Sequence, residues 1–128
     1  FDGEAADVVD AAGILRNATG LARARETLAE LRARLNAAGV AGADLRYNLT
    51  WHDWLNLESL IDVSEAICVA AEARDDSRGA HYREDFPHTG DLAKSAFSRV
   101  RREGAGLQVS WKPVQFTRVQ PGQSLIAA

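Results

Sequence analysis

The chain has 128 residues, of which 46% are apolar and 26% are charged, and its formal net charge is −3. This length supports one hydrophobic core, and the apolar fraction argues against wholesale disorder. The acidic balance disfavours nucleic-acid binding, because duplex-binding proteins usually carry a basic excess. Cys68 is the single cysteine, which excludes an internal disulfide and a cysteine-based metal cluster.

The sequence shows no targeting or membrane-spanning segment. No stretch reaches the ~18 apolar residues that a spanning helix needs, so we expect no direct membrane insertion. The chain begins Phe1-Asp2-Gly3, without methionine and without a secretory signal pattern. We therefore expect a processed or shortened piece of a larger protein, made in a reducing compartment.

Two N-terminal segments show the three- and four-residue apolar spacing of amphipathic helices. The first covers residues 4–16, with acids in its first turn and Arg16 in its last. The second covers residues 20–37, with Thr19 as the expected N-cap and Gly39 as the expected C-terminal cap. The predicted buried stripe of this second helix is Leu21, Ala24, Leu28, Leu31 and Leu35.

A further long helix, or a close pair of helices, is predicted over residues 52–75, after a loop at 39–50. Trp54 and Leu60 are expected core positions, and the tryptophan covers the end of the core more readily than it binds a ligand. Cys68 is expected to be a small buried side chain rather than a reactive thiol. The predicted stripe of this helix is Leu57, Leu60, Ile61, Ser64, Ile67, Cys68 and Ala71.

The C-terminal part alternates apolar and polar side chains over residues 96–103 and 107–112, with Gly104-Ala105-Gly106 between them. This pattern predicts a β-hairpin. We extend the hairpin region to residue 119 and expect a loose tail over 120–128.

Together these elements predict an α+β, mainly α fold for a single domain over residues 1–128. A small three-helix bundle covers residues 4–78, a charged loop covers 79–95, and the hairpin follows.

Residues 76–91 have no periodicity and contain two histidines, two arginines and four acids. Three interpretations remain open. The arginines form a polar cluster with the acids and with helix-end carbonyls, or the segment docks on another domain. In the third, Arg78, His81 and Arg83 hold an anion.

The residues needed for independent catalysis are missing. Gly104-Ala105-Gly106 follows a strand, but a second strand comes next, so a dinucleotide phosphate turn is not predicted. His81 and His88 match no tight metal-ligand spacing with the nearby acids. An enzyme that used either histidine as an acid–base group would lack a recognisable partner. We therefore assign no catalytic, cofactor-binding or metal-binding residue.

The segment after the third predicted helix reads Ser77-Arg78-Gly79-Ala80-His81-Tyr82-Arg83-Glu84-Asp85-Phe86-Pro87. It is similar to a motif in the flavoprotein subunits of succinate dehydrogenase and fumarate reductase, and in L-aspartate oxidase. Further stretches, from 13–21 to 111–114, resemble other parts of the same C-terminal domain, so the resemblance covers about residues 13–119.

The resemblance implies the C-terminal helical domain of an FAD-dependent oxidoreductase, whose parent exchanges hydride and a proton between FAD and a dicarboxylate. In that family the FAD-binding and capping domains precede this one and supply the flavin and substrate sites. They are the implied packing partners, with an iron–sulfur subunit as a further one. The implied location is cytoplasmic, at a membrane face through a complex.

The implied role of the motif is structural or interdomain, without catalytic, cofactor or metal function. His88-Thr89-Gly90 differs in order from the family's active-site His-Pro-Thr-Gly, so it receives no catalytic role. The alternative function is a stand-alone protein-interaction module built on the same domain. The motif residues expected to matter are Ser77, Arg78, Gly79, His81, Arg83 and Asp85.

Overall fold

The computed structural model describes residues 3, 8, 10–42, 44, 46–104 and 106–123. Residues 10–12 are helical, and two long helices and a C-terminal hairpin follow, which confirms the predicted α+β, mainly α class. The named elements are β1 (Leu15–Arg16), α1 (Ala18–Ala38), α2 (Leu49–Glu72), β2 (Tyr82–Arg83), a 3-10 turn (Leu92–Lys94), β3 (Ala96–Glu103) and β4 (Gly106–Pro113).

Helix α1 forms where its apolar spacing predicts, and its whole predicted stripe is buried. Its N-cap is Asn17 rather than Thr19, because the Asn17 side chain accepts a hydrogen bond from the N–H of Gly20 at 2.8 Å. At the other end, Gly39 takes a positive φ of 60° and donates its N–H to the carbonyl of Leu35.

Helix α2 begins earlier than predicted, because the side chain of Asn48 accepts from the N–H of Trp51 and caps the first turn. It buries Ile61 and Cys68 against α1, which confirms the prediction for the cysteine. Burial raises the pKa of the Cys68 thiol. Trp54 packs on the edge of this core and donates its indole N–H to the carbonyl of Leu35 at 3.1 Å.

The prediction for the α2 stripe is wrong at three positions, although Ala71 is buried as predicted. Leu60, an expected core residue, is 63% exposed, and Leu57 and Ile67 are exposed as well. Helix α2 carries apolar side chains over more than one face, and their spacing cannot tell which face meets α1. The face around Ile61 and Cys68 packs on α1, and the face around Leu60 is exposed.

The first predicted helix ends at residue 12, before the expected residue 16. Residues 10–12 are helical, but Leu15 and Arg16 form the short strand β1, which pairs in parallel with β2. Arg16 turns its side chain back and donates Nε–H to the carbonyls of Ala12 and Gly13, which satisfies the end of this helical segment. Most of residues 4–9 lie outside the described residues.

The predicted hairpin is confirmed. Strands β3 and β4 are antiparallel, in register from Ala96 opposite Pro113 to Glu103 opposite Gly106. No strand continues over residues 114–119. The inner hairpin face packs on α2, where Arg102 forms an ion pair with Asp62 at 2.9 Å. Of the predicted tail, residues 124–128 lie outside the described residues.

Candidate functional site

Arg83 lies beside the C-terminus of α2 and is only 2% exposed. Its Nη1 is 2.9 Å from the carbonyl oxygen of Ala71, 3.1 Å from that of Glu72 and 3.0 Å from that of Arg74. The last carbonyls of a helix lack partners within it and carry partial negative charge. Arg83 supplies both hydrogen-bond donors and positive charge there, so α2 ends at Glu72 rather than at the predicted residue 75.

Asp85 binds the other edge of the same guanidinium. Its Oδ1 accepts from Nε of Arg83 and its Oδ2 from Nη2, each at 2.7 Å. Oδ2 also accepts from the N–H of Ala18, the first residue of α1, at 2.9 Å. The hydrogen bond with Arg83 holds the pKa of Asp85 well below its usual range and raises the pKa of Arg83. The ion pair therefore joins the end of α2 to the start of α1.

The strand pair β1–β2 brings this motif beside the start of α1. The N–H of Tyr82 donates to the carbonyl of Ile14, and the N–H of Glu84 donates to the carbonyl of Arg16 at 2.8 Å. The carboxylate of Glu84 also accepts from the side-chain amide of Asn17. These contacts link segments more than 60 residues apart along the chain.

Ser77 is buried at the centre of the loop. Its hydroxyl donates to the carbonyl of Phe86 at 2.7 Å and accepts from the N–H of Arg83 at 2.8 Å. Its N–H donates to the carbonyl of His88. One small side chain thus satisfies backbone groups on both sides of the loop, which fixes the position of Arg83.

Arg78 connects the loop to the residues just before the hairpin. It forms an ion pair with Asp76 at 2.8 Å, and donates to the carbonyl of Thr89 at 2.9 Å and to the hydroxyl of Ser95 at 2.6 Å. Gly79 sits in the adjoining turn with a φ of 56°. A residue with a Cβ would be strained in this left-handed conformation, so the turn favours glycine.

His81 packs against Arg16. Its Nδ1 accepts from Nη1 of Arg16 at 2.7 Å, and its Nε2 is buried without a hydrogen-bond partner among the described residues. Burial, followed by the nearby charges of Arg16, Arg74 and Arg83, lowers the pKa of His81. The imidazole is therefore neutral in the folded chain at neutral pH, with its proton on Nε2.

The structure brings all six predicted motif residues into one cluster, and it adds partners that the sequence did not indicate. Arg16 and Asn17 come from just before α1, and Arg74 and Asp76 come from just after α2. Arg74 also stacks on the ring of Trp111, with its guanidinium carbon 5.2 Å from the ring centroid. The position of Arg16 in a last helical turn was the one available signal.

These contacts favour the polar-cluster interpretation over an anion site. The nitrogens of Arg83 are taken up by carbonyls and by one carboxylate, and those of Arg78 by Asp76, two carbonyls and a hydroxyl. The hollow beside Arg74, Arg78 and Trp111 is open to solvent. No group of three His, Cys, Asp or Glu side chains within the described residues is placed to hold a metal ion.

The described residues do not fit a flavin site. A flavin pyrophosphate needs free backbone N–H groups at a helix N-terminus behind a glycine-rich turn. At α1 the N–H groups of Ala18 and Gly20 already bind Asp85 and Asn17. At α2 the side chain of Asn48 occupies the corresponding position.

A second feature is an uncovered apolar surface on α2, which we call the outer α2 face. Leu60 is 63% and Val63 59% exposed, and Ile67 is exposed beside them. Ile67 also lines an apolar hollow with Val8, Ala12, Gly13 and Ser64. Ile14 and Leu15, next to this hollow along the chain, are exposed too.

A helix pair with a C-terminal hairpin, whose helix ends are bound by a buried arginine and its aspartate partner, defines a small helical domain. Residues 7–125 match the family model described as "Fumarate reductase flavoprotein C-term". The chain belongs to this family, the C-terminal domains of succinate dehydrogenase and fumarate reductase flavoprotein subunits.

The relatives extend far beyond this chain. The fumarate reductase flavoprotein subunit of Mycobacterium tuberculosis is 37% identical over 119 residues, which are 92% of this chain and 20% of that protein. The 8-methylmenaquinol:fumarate reductase flavoprotein subunit of Wolinella succinogenes is 31% identical over 85% of this chain and 18% of its own length. The chain thus spans about a fifth of the length of these curated relatives.

Solved structures share the fold. FrdA of the E. coli quinol fumarate reductase superimposes with a TM-score of 0.82 over 91% of this chain and 20% of its own, at 23% identity. Sdh1 of Mycobacterium smegmatis, solved in complex with UQ1, gives a TM-score of 0.69 at 27% identity, over 90% of this chain and 20% of its own.

Proposed function

We propose that residues 1–128 form one supporting domain at the C-terminal end of an FAD-dependent oxidoreductase. The domain packs on the FAD-binding and capping domains of the parent polypeptide and carries no catalytic, cofactor or metal site of its own. The outer α2 face is the observation that carries this proposal. The parent reaction is hydride and proton exchange between FAD and a dicarboxylate such as succinate or fumarate.

The outer α2 face supports a covered position in a larger protein. Burying one Leu, Val or Ile side chain is worth about 1.5–3 kcal/mol. Leu60, Val63 and Ile67 do not contribute this free energy of burial while they stay exposed. Apolar patches of this kind typically mark interaction surfaces, and about four-fifths of each relative's length lies outside the matched region.

The proposed role of the charged motif is to hold the domain's own shape. Ser77, Arg78, Gly79, His81, Arg83 and Asp85 fix the ends of both long helices, and with them the angle at which α2 presents its outer face. The alternative of a stand-alone module that docks through this motif has less support, because Arg83 is buried and Arg78 is bonded within the chain.

Further partners and location follow from the same proposal. The relatives are named as subunits, which supports assembly with other chains, and we propose an iron–sulfur subunit among them. One relative's name contains a menaquinol and one solved relative binds UQ1, so we place the parent complex at the cytoplasmic face of a membrane. No helix among the described residues is long and apolar enough to cross a bilayer.

The test compares one substitution in two settings. Val63→Glu should leave the melting temperature of the 128-residue chain unchanged, because the side chain is solvent-exposed there. In the full-length gene product it should lower the melting temperature and the retention of FAD. Leu92→Glu is the matched control, since Leu92 is 45% exposed but belongs to the 3-10 turn and not to α2.

Two outcomes would contradict the proposal. One is an equal effect of Val63→Glu and Leu92→Glu in the full-length product. The other is a native gene product no longer than this chain. A separate check is reconstitution with FAD: the 128-residue chain should stay colourless, and a stoichiometric yellow complex would show a flavin site that the described residues do not fit.

A further inference from the structure

The hairpin has a solvent-exposed outer face that carries positively charged side chains. On β3, Phe97, Arg99 and Arg101 point away from α2, since alternate residues of a strand face opposite sides. Phe97 is 59% exposed. Lys112 and Ser110 lie opposite Phe97 and Arg99 on β4. We call this surface the outer hairpin face.

The cations on the two hairpin faces differ in their ion-pair partners. On the inner face, Arg102 forms an ion pair with Asp62 at 2.9 Å. On the outer face, Arg99, Arg101 and Lys112 are exposed and form no ion pair with any other described residue. The charges on the outer face are therefore available to a partner, although the whole chain is acidic with a net charge of −3.

The spacing of these cations matches an extended peptide. Arg99 and Arg101 are two residues apart on one strand, which corresponds to about 6.5–7 Å. Lys112 lies one cross-strand diagonal away from Arg99, within reach of the same ligand. Carboxylates on alternate residues of an extended segment repeat at the same interval. Phe97, at one end of the row, adds exposed aromatic surface that is typical of protein interfaces.

The hairpin edges also favour a peptide. Among the described residues, β3 and β4 form a sheet of two strands, so each has an outer edge without a strand neighbour. Such an edge offers backbone donors and acceptors to an added strand. A polyanionic partner such as nucleic acid or an anionic membrane would bind through charge alone and would not use the strand edge. Three cations beside the acidic Glu103 are few for nucleic acid or an anionic membrane.

We propose that the outer hairpin face binds an extended protein segment with carboxylates on alternate residues. This surface is separate from the outer α2 face and does not depend on the function proposed above. Charge complementarity with Arg99, Arg101 and Lys112 selects the segment, and the open strand edge and Phe97 add contacts that carry no charge.

The experiment uses the 128-residue chain and a fluorescent ten-residue peptide that alternates Glu and Thr. Fluorescence anisotropy should show saturable binding at about 0.01 M salt, which weakens at about 0.1 M because the screening length falls from about 30 Å to 10 Å. Arg99→Glu/Arg101→Glu should weaken it roughly tenfold or more, the effect of losing two or three exposed ion pairs. Arg46→Glu, an exposed arginine in the α1–α2 loop, is the matched control.

A second peptide, alternating Lys and Thr, should bind the Arg99→Glu/Arg101→Glu variant and not the original chain. Circular dichroism confirms that the variant is folded, and Arg99→Gln/Arg101→Gln provides a neutral version. Absence of saturable binding, or equal loss with Arg46→Glu, overturns the proposal. Binding to phosphatidylglycerol vesicles or to single-stranded DNA that exceeds peptide binding and needs the same arginines overturns it as well.

Discussion

Arg83 and Asp85 form a two-point ion pair whose remaining hydrogen bonds go to opposite ends of the two long helices. The arginine binds the last carbonyls of α2, and the aspartate binds the first N–H of α1. Each charge faces the helix end of opposite partial charge. The pair thereby fixes how the two helices meet. The Arg83 side of the pair is almost completely buried.

Replacement of Arg83 by lysine should be strongly destabilising although the charge is kept. One ammonium cannot reach three carbonyls and both oxygens of Asp85 at once. We expect the free energy of unfolding to fall by about 2–4 kcal/mol, because carbonyls at the end of α2 lose their hydrogen-bond donors. Urea denaturation of the variant measures this. Arg46→Lys, at an exposed arginine, should change nothing, and equal stability of the two variants would rule out the helix-end role.

Asp85 should make the chain sensitive to acid. Its pKa is lower in the folded chain than its ordinary value of 3.8. A carboxyl with a lowered pKa contributes stability above its unfolded pKa, and this contribution is lost as pH falls below about 4. Asp85→Asn should therefore lower stability at neutral pH and flatten the acid limb of a stability–pH curve. Asp53→Asn, at an exposed carboxyl of α2, is the control.

His81 should affect stability at a higher pH. Its pKa is lowered from 6.5, first by burial and then by Arg16, Arg74 and Arg83, while Asp76 opposes the shift. Because the unfolded chain binds the proton more readily, the folded chain is most stable above about pH 6.5 and loses stability as pH falls below it.

The variant His81→Asn keeps a polar acceptor for Arg16 but cannot take up a proton. Its stability should be flatter between pH 5 and 6.5 than that of the original chain, as measured by urea denaturation at several pH values. His88→Asn is the control for an exposed histidine. If both variants keep the original slope, another group accounts for it.

Alanine substitutions at two leucines should distinguish a buried helix face from an exposed one. Leu28, on α1, is 4% exposed, and Leu60, on α2, is 63% exposed. Leu28→Ala should cost about 2–5 kcal/mol through lost burial and cavity formation. Leu60→Ala in the 128-residue chain should stay within about 0.5 kcal/mol of the original. A large loss at Leu60 would mean that the outer α2 face is covered within the chain itself.

Local patterns predicted much of the secondary structure. The apolar stripe of α1 and the alternation of β3 and β4 each have one dominant period, and both elements form with nearly the predicted bounds. The buried face of α2 cannot be predicted in the same way, because its apolar residues are spread over more than one face. Leu60 was therefore assigned to the core, although its side chain is exposed.

The motif from Ser77 to Asp85 could be recognised as unusual from its charge and from its family resemblance. Its partners could not be recognised. Arg16 and His81 are 65 residues apart, and no local spacing connects them. The same holds for Ala18 and Asp85, whose hydrogen bond depends on where α1 starts relative to the loop.

By itself, the sequence determined the helical and hairpin elements, the burial of Cys68 and the family resemblance, because these depend on periodicity and on contiguous residues. Only the tertiary structure decided which face of α2 is buried, where α2 ends, and that Arg83 and Asp85 join two helix ends. Those features depend on hydrogen bonds and ion pairs between residues that are far apart in the sequence. Such contacts contribute to stability only after the chain has folded and brought the residues together.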